Sequence, residues 1–285
     1  METTTTVLRK PEWLKIKLPS GNTYKEVKRI VESHGLHTIC ESGKCPNKAE
    51  CWGNGTATFM ILGDICTRAC RFCAVKTGKP QAVNWNEPLE VAKSIQLMQL
   101  KHCVITSVDR DDLPDYGAEF WAVTIAKVKE LNPNTTIEVL IPDFKGKAEC
   151  IQRVIDQKPN VISHNIETIR RLTRKVRRNS DYDRSLSVLK QVAQAGIRAK
   201  SGIMLGLGET ETEVLQTMDD LLAVGCQVMT IGQYLQPTKE HLPVQAFIHP
   251  ETFKKYEEIG LQKGFRFVES GALVRSSYHA EKHVL

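Results

Sequence analysis

No stretch of this chain approaches the roughly 18 consecutive apolar residues of a membrane-spanning helix, so no membrane function is expected. The opening METTTTVLRKPEWLK has no apolar h-region, so a secretory signal is not expected either, and a cytoplasmic location is. Internal repeats, low-complexity linkers and long tails of one charge are missing, which excludes repeat arrays and tail-driven binding. Of the eight histidines only His279 and His283 stand at HxxxH spacing and none at HxH, too few for a histidine-built metal site; His164 reads as structural. What remains is ordinary: 41% hydrophobic and 25% charged residues exclude a disordered chain. With 285 residues the chain can bury a sizeable core without staples, as one large domain or two small ones. Its net charge of +6 suits an acidic partner without demanding nucleic acid.

Nine cysteines stand out against that background, and six of them fall between residues 40 and 73. An odd count without an export signal argues against a disulfide framework and for metal or redox chemistry. Cys103, Cys150 and Cys226, scattered among strand and helix patterns, read as core residues.

After one helix over about 23–33 and a glycine-rich loop, β and α patterns alternate. The apolar runs 57–63, 102–108, 136–142, 160–164, 198–205 and 227–233 read as buried strands. Helical patterns follow Asn86 and Gly117 and recur near 147–157, 182–195, 210–223 and 250–263. Six β/α units imply parallel strands with right-handed crossovers, in a barrel-like or a doubly wound sheet. The length fits a partial (β/α)6 barrel and is short for eight strands, which take about 250 residues in the barrel alone. The parts expected are an N-terminal extension (1–55), the barrel core (56–245) and a C-terminal helix and closing segment (246–285). The working face lies at the carboxyl ends of the strands.

Cys66, Cys70 and Cys73 in DICTRACRFC follow the first strand at C-x3-C-x2-C spacing. Three thiolates can hold three irons of a cubane and leave the fourth open to bind a ligand and pass it an electron. The same offsets trace one helix face, so a core stripe is the alternative, though Arg68 and Arg71 are poor company for one. Structural zinc normally takes four ligands on paired arms. Cys40, Cys45 and Cys51 stand at C-x4-C-x5-C, offsets that share no helix face, and Gly43 and Pro46 would break a helix. This segment therefore reads as a loop able to wrap a compact object.

The first spacing, placed after the first strand of a β/α barrel, resembles the radical S-adenosylmethionine superfamily. The second narrows the resemblance to the lipoyl synthase family. Further matching segments run from PEWLKIKLPSG (11–21) through SVDRDDLPDYGAEFWA (107–122), IPDFKG (141–146), HNIET (164–168), VRRNSDYDRSL (176–186), KSGIMLGLGET (200–210) and TIGQYLQPTKEHLPV (230–244) to GALVRSSYHA (271–280). The resemblance implies a sulfurtransferase with two 4Fe–4S clusters and S-adenosylmethionine. On Cys66, Cys70 and Cys73 the open iron would chelate S-adenosylmethionine, whose reductive cleavage gives methionine and a 5′-deoxyadenosyl radical. The cluster on Cys40, Cys45 and Cys51 would be the sulfur donor, with a serine of Arg275-Ser276-Ser277-Tyr278 as fourth ligand, assigned to Ser277 before Ser276. A serine oxygen is a harder, more labile ligand than a thiolate, which suits a cluster meant to be dismantled. Also carried over as S-adenosylmethionine contacts are Ser107, Asp109, Asn165, Glu167 and Arg178.

The implied substrate is an octanoyl group on a lysine of a lipoyl carrier domain, as in 2-oxoacid dehydrogenase E2 subunits and the glycine cleavage H protein. Its C6 and C8 hydrogens lie beyond any side-chain base, so hydrogen-atom abstraction is the available route. An electron donor such as flavodoxin or ferredoxin and an iron–sulfur carrier for rebuilding the second cluster are implied partners. A rival within the class, an RNA methylthiotransferase, needs an RNA-binding domain for which there is no room; a two-cluster electron carrier needs four cysteines per cluster. GIMLGLGE (202–209) misses GxGxxG, and its glycines are expected to let a cofactor approach the fifth strand. The run RRLTRKVRR (170–178) lacks interleaved aromatics, which argues against nucleic acid; part of it is expected to steer an acidic carrier domain.

Overall fold

The computed structural model describes residues 9–15, 22–53 and 57–284; residues 1–8 of the quoted opening, 16–21 of PEWLKIKLPSG and 54–55 of the N-terminal extension lie outside it. Each predicted apolar run becomes a strand, because continuous β-branched and aliphatic residues suit a sheet buried on both faces. In chain order, α1 (Asn22–Ser33), β1 (His37–Thr38), α2 (Ile39–Ser42) and α3 (Lys48–Gly53) precede β2 (Thr58–Ile61). The short ladder β3 (Ile65–Cys66) and β4 (Lys76–Thr77) brackets the first cysteine loop. Then come α4 (Glu87–Leu97), β5 (His102–Ser107), α5 (Ala118–Leu131), β6 (Thr136–Leu140), α6 (Ala148–Ile155) and β7 (Val161–Ser163). The chain continues through α7 (Thr173–Val176), α8 (Tyr182–Gln194), β8 (Arg198–Leu205), α9 (Glu211–Ala223), β9 (Val228–Gln233), α10 (Pro250–Lys263) and β10 (Phe267–Gly271).

The sheet order is β1-β2-β5-β6-β7-β8-β9-β10, with edges at β1 and β10, so the barrel is open. All neighbours from β2 to β10 are parallel; β1 alone runs antiparallel, His37 opposite Met60. The six predicted strands are present, and β10 is a seventh parallel strand that the sequence reading misses. It is five residues long with Val268 as its one fully buried position, too short a pattern to register. Cys103, Cys150 and Cys226 are buried in the core, as read. His164 is buried too, with Nδ1 against the Ile141 carbonyl and Nε2 against Ser185 Oγ.

The reading of 40–51 as a loop needs correction. It is two short helices, α2 and α3, with Gly43 and Pro46 in the turn between them. Thr38 caps the first, its Oγ1 accepting from Glu41 N, so one turn forms without three cysteines having to share a face.

Beyond β10 the chain runs along the whole height of the barrel. Ser276 sits at the carboxyl ends of the strands, where Asn165 Nδ2 donates to its Oγ (2.6 Å). A 3-10 turn, Ala280–Val284, closes the amino ends: Arg198 bonds the His283 carbonyl, and the His283 ring packs on Phe267. Gly232 on β9 permits this course, because a Cβ there would collide with the Val274 carbonyl.

Candidate functional site

The first cysteine loop leaves β2 through a turn in which Leu62 (φ 69°) and Gly63 (φ 88°) are both left-handed. Glu87 holds that turn, Oε2 accepting from Leu62 N at 2.8 Å, and burial pushes its carboxyl up to about 7. Cys66 ends β3, and Cys70 and Cys73 follow in the loop. Between them Arg68 is nearly fully buried, contrary to its appearance in sequence as a surface residue. Its Nε and Nη2 donate to Asp111 (2.9 and 2.8 Å), Nη2 also to Asp143 (2.7 Å), and Nη1 lies 3.3 Å from Asp109. Burial works to raise the Asp143 carboxyl, but Arg68 overrides it and holds it well below the usual carboxylate range. Thr67 adds a donor to the Asp109 carbonyl and accepts from Asp111 N. The loop is thereby fastened to the segments after β5 and β6.

The three sulfurs influence one another electrostatically, and burial pushes the Cys66 and Cys70 thiols up to about 12 and Cys73 to about 11. Backbone amides aim at them: Asp109 N and Arg68 N donate to Cys66 Sγ (3.3 and 3.4 Å), and Val75 does so to Cys73. N–H donors to sulfur support a cluster-bound thiolate.

In the second trio, Cys40 lies on α2, Cys45 in the turn and Cys51 on α3. Cys40 takes a backbone hydrogen bond from Thr58, and Cys45 takes them from Asn47 and Lys48. The C-terminal segment is fixed to this unit: Asn47 Nδ2 donates to the Leu273 carbonyl (2.7 Å) and Tyr278 OH to Glu50 Oε1 (3.3 Å). That brings the RSSY serines beside the trio from more than 220 positions away in the sequence. Ser276 is engaged by Asn165, whereas the Ser277 hydroxyl has no hydrogen-bond partner among the described residues.

Both trios line one cavity of about 1010 Å³, at the upper end of the range of small-molecule sites. Ser107, Asp109, Asn165, Glu167, Ser276 and Ser277 also line it. Ser107 Oγ and Asn165 Oδ1 are buried without a partner, which leaves them to a ligand's amino or hydroxyl groups. Glu167 holds an uncommon φ of 64°, locked by Glu167 N→Gly202 O and Met204 N→Glu167 O, both 2.9 Å. The wall also carries apolar residues, among them Ile39, Val104, Leu140 and Ile203. Among the described residues no three His, Cys, Asp or Glu side chains gather closely enough for a single metal ion. A cubane instead takes each thiolate on a separate iron, so the donor sets fit clusters rather than mononuclear sites.

Arg178 is not brought to the cavity; it is exposed, and the neighbouring Arg177 turns inward in its place. Arg177 Nη1 donates to the Ile166 carbonyl (3.3 Å), and its charge bears on Cys70, Asp109 and Glu167. The segment leaves helical geometry at Arg177 (φ −127°, ψ 78°), which reverses the facing expected of adjacent residues. Arg275, unassigned from the sequence, is the other cation: burial lowers it, while Cys45 and Glu167 both act to raise it. It lines the same cavity as the two trios. The GIMLGLGE glycines serve the chain more than a cofactor. A Cβ at Gly206 would strike Gln233 and the Ala246 carbonyl, and Glu209 itself accepts from Gly206 N and Leu207 N. Gly202 does line the cavity. A smaller cavity of about 360 Å³, bordered by His37, Asp64 and Glu87, is lined by none of the six cysteines.

Comparison with known proteins completes the picture. Residues 60–221 match the family model described as "Radical SAM superfamily", and residues 2–45 that of the "N-terminal domain of lipoyl synthase of Radical_SAM family". A lipoyl synthase of Bacteroides fragilis (strain YCH46) is 62% identical over 277 residues, 97% of this chain and 96% of that one. A mitochondrial lipoyl synthase of Nematostella vectensis is 59% identical over 276 residues, 96% of this chain and 95% of that one. Among solved structures, Streptococcus suis SuiB bound to the precursor peptide SuiA has a TM-score of 0.60 at 9% identity, covering 94% of this chain and 58% of that one. HydG, a maturase of the [FeFe]-hydrogenase, has a TM-score of 0.58 at 14% identity, covering 87% of this chain and 63% of that one. These two likenesses concern the fold. Near-identical length, about 60% identity and two cysteine trios meeting at one cavity lead to one conclusion: the chain belongs to the lipoyl synthase family of the radical S-adenosylmethionine superfamily.

Proposed function

We propose that this chain inserts two sulfur atoms, at C6 and C8 of an octanoyl group carried on a lysine of a lipoyl carrier domain. In this reading Cys66, Cys70 and Cys73 hold the cluster that binds S-adenosylmethionine. Cys40, Cys45, Cys51 and Ser277 hold the cluster that gives up sulfur. The observation that carries it is the shared cavity, lined by all six cysteines and by Ser277 and Arg275.

When bound, the clusters and S-adenosylmethionine supply hydrogen-atom abstraction and the sulfur itself. The chain's own residues supply position. Ser107 Oγ and Asn165 Oδ1 are free to accept from an amino group and hydroxyls, and Asp109 and Glu167 offer carboxylates beside them. Arg177 takes the role first given to Arg178, a forked donor facing anionic groups at the first trio. Ile39, Val104, Leu140 and Ile203 give an eight-carbon chain an apolar path and keep water from the reacting carbon. Ser277 offers the second cluster an oxygen that Ser276 does not, since Ser276 is held by Asn165. In these roles 1–55 is the donor-cluster unit and 56–245 the barrel's first six parallel strands, while 246–285 adds α10 and the seventh strand, β10, before the closing segment.

E2 subunits and the glycine cleavage H protein are the proposed carriers. Flavodoxin or ferredoxin as reductant, an iron–sulfur carrier and a cytoplasmic setting complete the reading. The test is mass spectrometry of an octanoylated carrier domain after anaerobic incubation with the reconstituted protein, S-adenosylmethionine and dithionite. A gain of two sulfurs with loss of two hydrogens supports the proposal; an unchanged carrier with both clusters intact overturns it.

A further inference from the structure

The basic run 170–178 divides into three parts with different fates. Arg170 pairs with Asp183 and Asp220, and Arg171 with Glu213 and the Gly208 carbonyl. Arg177 faces the cavity. Arg174, Lys175 and Arg178 are exposed, none has a partner among the described residues, and none lines the cavity.

What lies beneath these three is the first cysteine loop. Arg71 N donates to the Val176 carbonyl (2.9 Å), so α7 rests directly on the loop, and the charge of Arg177 reaches the Cys70 thiol from within the same segment. Ala69 at the loop tip is exposed, and Cys70, Arg71 and Phe72 are half-buried. On the loop's other side Leu242 N donates to the Arg71 carbonyl (3.1 Å) and His241 Nε2 bonds the Cys73 carbonyl (2.8 Å). That segment adds exposed Lys239, with Glu240 as the acidic neighbour. One layer of chain, studded with cations, thus separates Cys70 from solvent.

We propose that this face, centred on Arg174, Lys175 and Arg178, docks a small acidic one-electron donor protein. It rests on the reading that Cys66, Cys70 and Cys73 carry a redox cluster. Electron transfer between proteins falls steeply with distance, so a donor gains most by sitting over the thinnest cover. Exposed like charges steer and orient a transient partner without needing a large apolar interface. A carrier domain has the opposite need, since it must thread an arm into the cavity, and these three residues are not on the cavity wall. One electron leaves the donor, a flavin hydroquinone anion becoming the neutral semiquinone, and one arrives at the oxidised cluster; no proton or atom moves.

The test uses the reconstituted holoprotein and its R174E/K175E/R178E variant, with chemically reduced flavodoxin as the probe. Flavin absorbance in an anaerobic stopped-flow gives the reduction rate independently of turnover. The expected result is a second-order rate constant lower by about tenfold or more at low salt, with the gap closing as ionic strength rises. Dithionite-driven conversion of the octanoylated carrier should stay within about twofold of the parent. An unchanged flavodoxin rate overturns the proposal. So does a loss of dithionite-driven turnover on the carrier domain with an octanoyl-lysine peptide unaffected, which assigns the face to the carrier. An equal loss in K147E/K190E/K254E, reversed at exposed lysines on or next to the outer helices, also overturns it, as an effect of net charge alone. Failure of the dithionite reaction in the parent protein counts against the proposed function instead.

Discussion

The 66/70/73 trio rides on a loop fastened into the barrel by Arg68, whose guanidinium meets three aspartates on two neighbouring loops. The 40/45/51 trio sits on two short helices outside the barrel, joined to it by the two-residue ladder β1–β2, by the Thr58 amide on Cys40 and, through the C-terminal segment, by single hydrogen bonds, Asn47–Leu273 and Tyr278–Glu50. A buried, multiply paired anchor is costly to break, because each partner left behind is an uncompensated charge. A neutral hydrogen bond contributes only about 1 kcal/mol. The first scaffold suits a group that is kept through every turnover, and the second suits one that must be opened, emptied and refilled.

The sharpest way to break this contrast is Arg68→Gln. It takes from buried Asp143 the nearer of its two cations, leaving Arg184 at 3.1 Å, and strips the loop's charge from Asp109; it should cost about 3 kcal/mol or more in urea denaturation, with iron lost first from the 66/70/73 site. A midpoint unchanged from the parent would remove the anchor argument. Next comes Glu87, which holds the turn leading into the same loop. Its folded carboxyl is raised to about 7, above the ordinary 4.5, so the folded state binds the extra proton. The stabilisation is complete below about pH 4.5 and is lost as pH rises through 7. Glu87→Gln should flatten that dependence, gaining up to about 3 kcal/mol on the parent between pH 4 and pH 8. Parallel stability curves for the two proteins would contradict it.

On the other trio, Ser277→Ala should lower sulfur insertion by about tenfold or more while S-adenosylmethionine cleavage persists; Ser276→Ala should do less. Equal effects on both reactions would mean that the serine does not act through the second cluster alone. The smallest effect is expected from Asn47→Ala, about 1 kcal/mol of stability. Its signature is selective: a chelator should strip iron from the 40/45/51 site faster than in the parent, with the 66/70/73 site unchanged.

Much of this was legible in the sequence, and particular residues explain where legibility stopped. The six strands were readable because uninterrupted runs such as HCVITS and RAKSGIML suit a sheet covered on both faces. Strand β10 was not, since Glu269 and Ser270 interrupt a pattern of five residues and the strand is specified by the free edge of β9. The cysteines announced themselves by spacing. Arg68 and Arg177 did not, because an arginine among polar residues looks the same whether it faces water or three carboxylates. Arg178 was preferred to Arg177 by resemblance alone, and the backbone turn at Arg177 decides between them.

The sequence by itself determined the chemistry: which residues can ligate iron, in what two groups, and on a chain of β/α units that can present them at one end of a barrel. Thiolate spacing and apolar periodicity are local properties, and local properties are written in order along the chain. Only the tertiary structure decided that residues 40–51 and 273–278 meet, that Arg275 lines the cavity with both trios, and that three cations of one basic run face solvent unpaired while another faces the cavity. Those outcomes depend on loop closure across the full chain and on burial, where a charge survives only beside its partner.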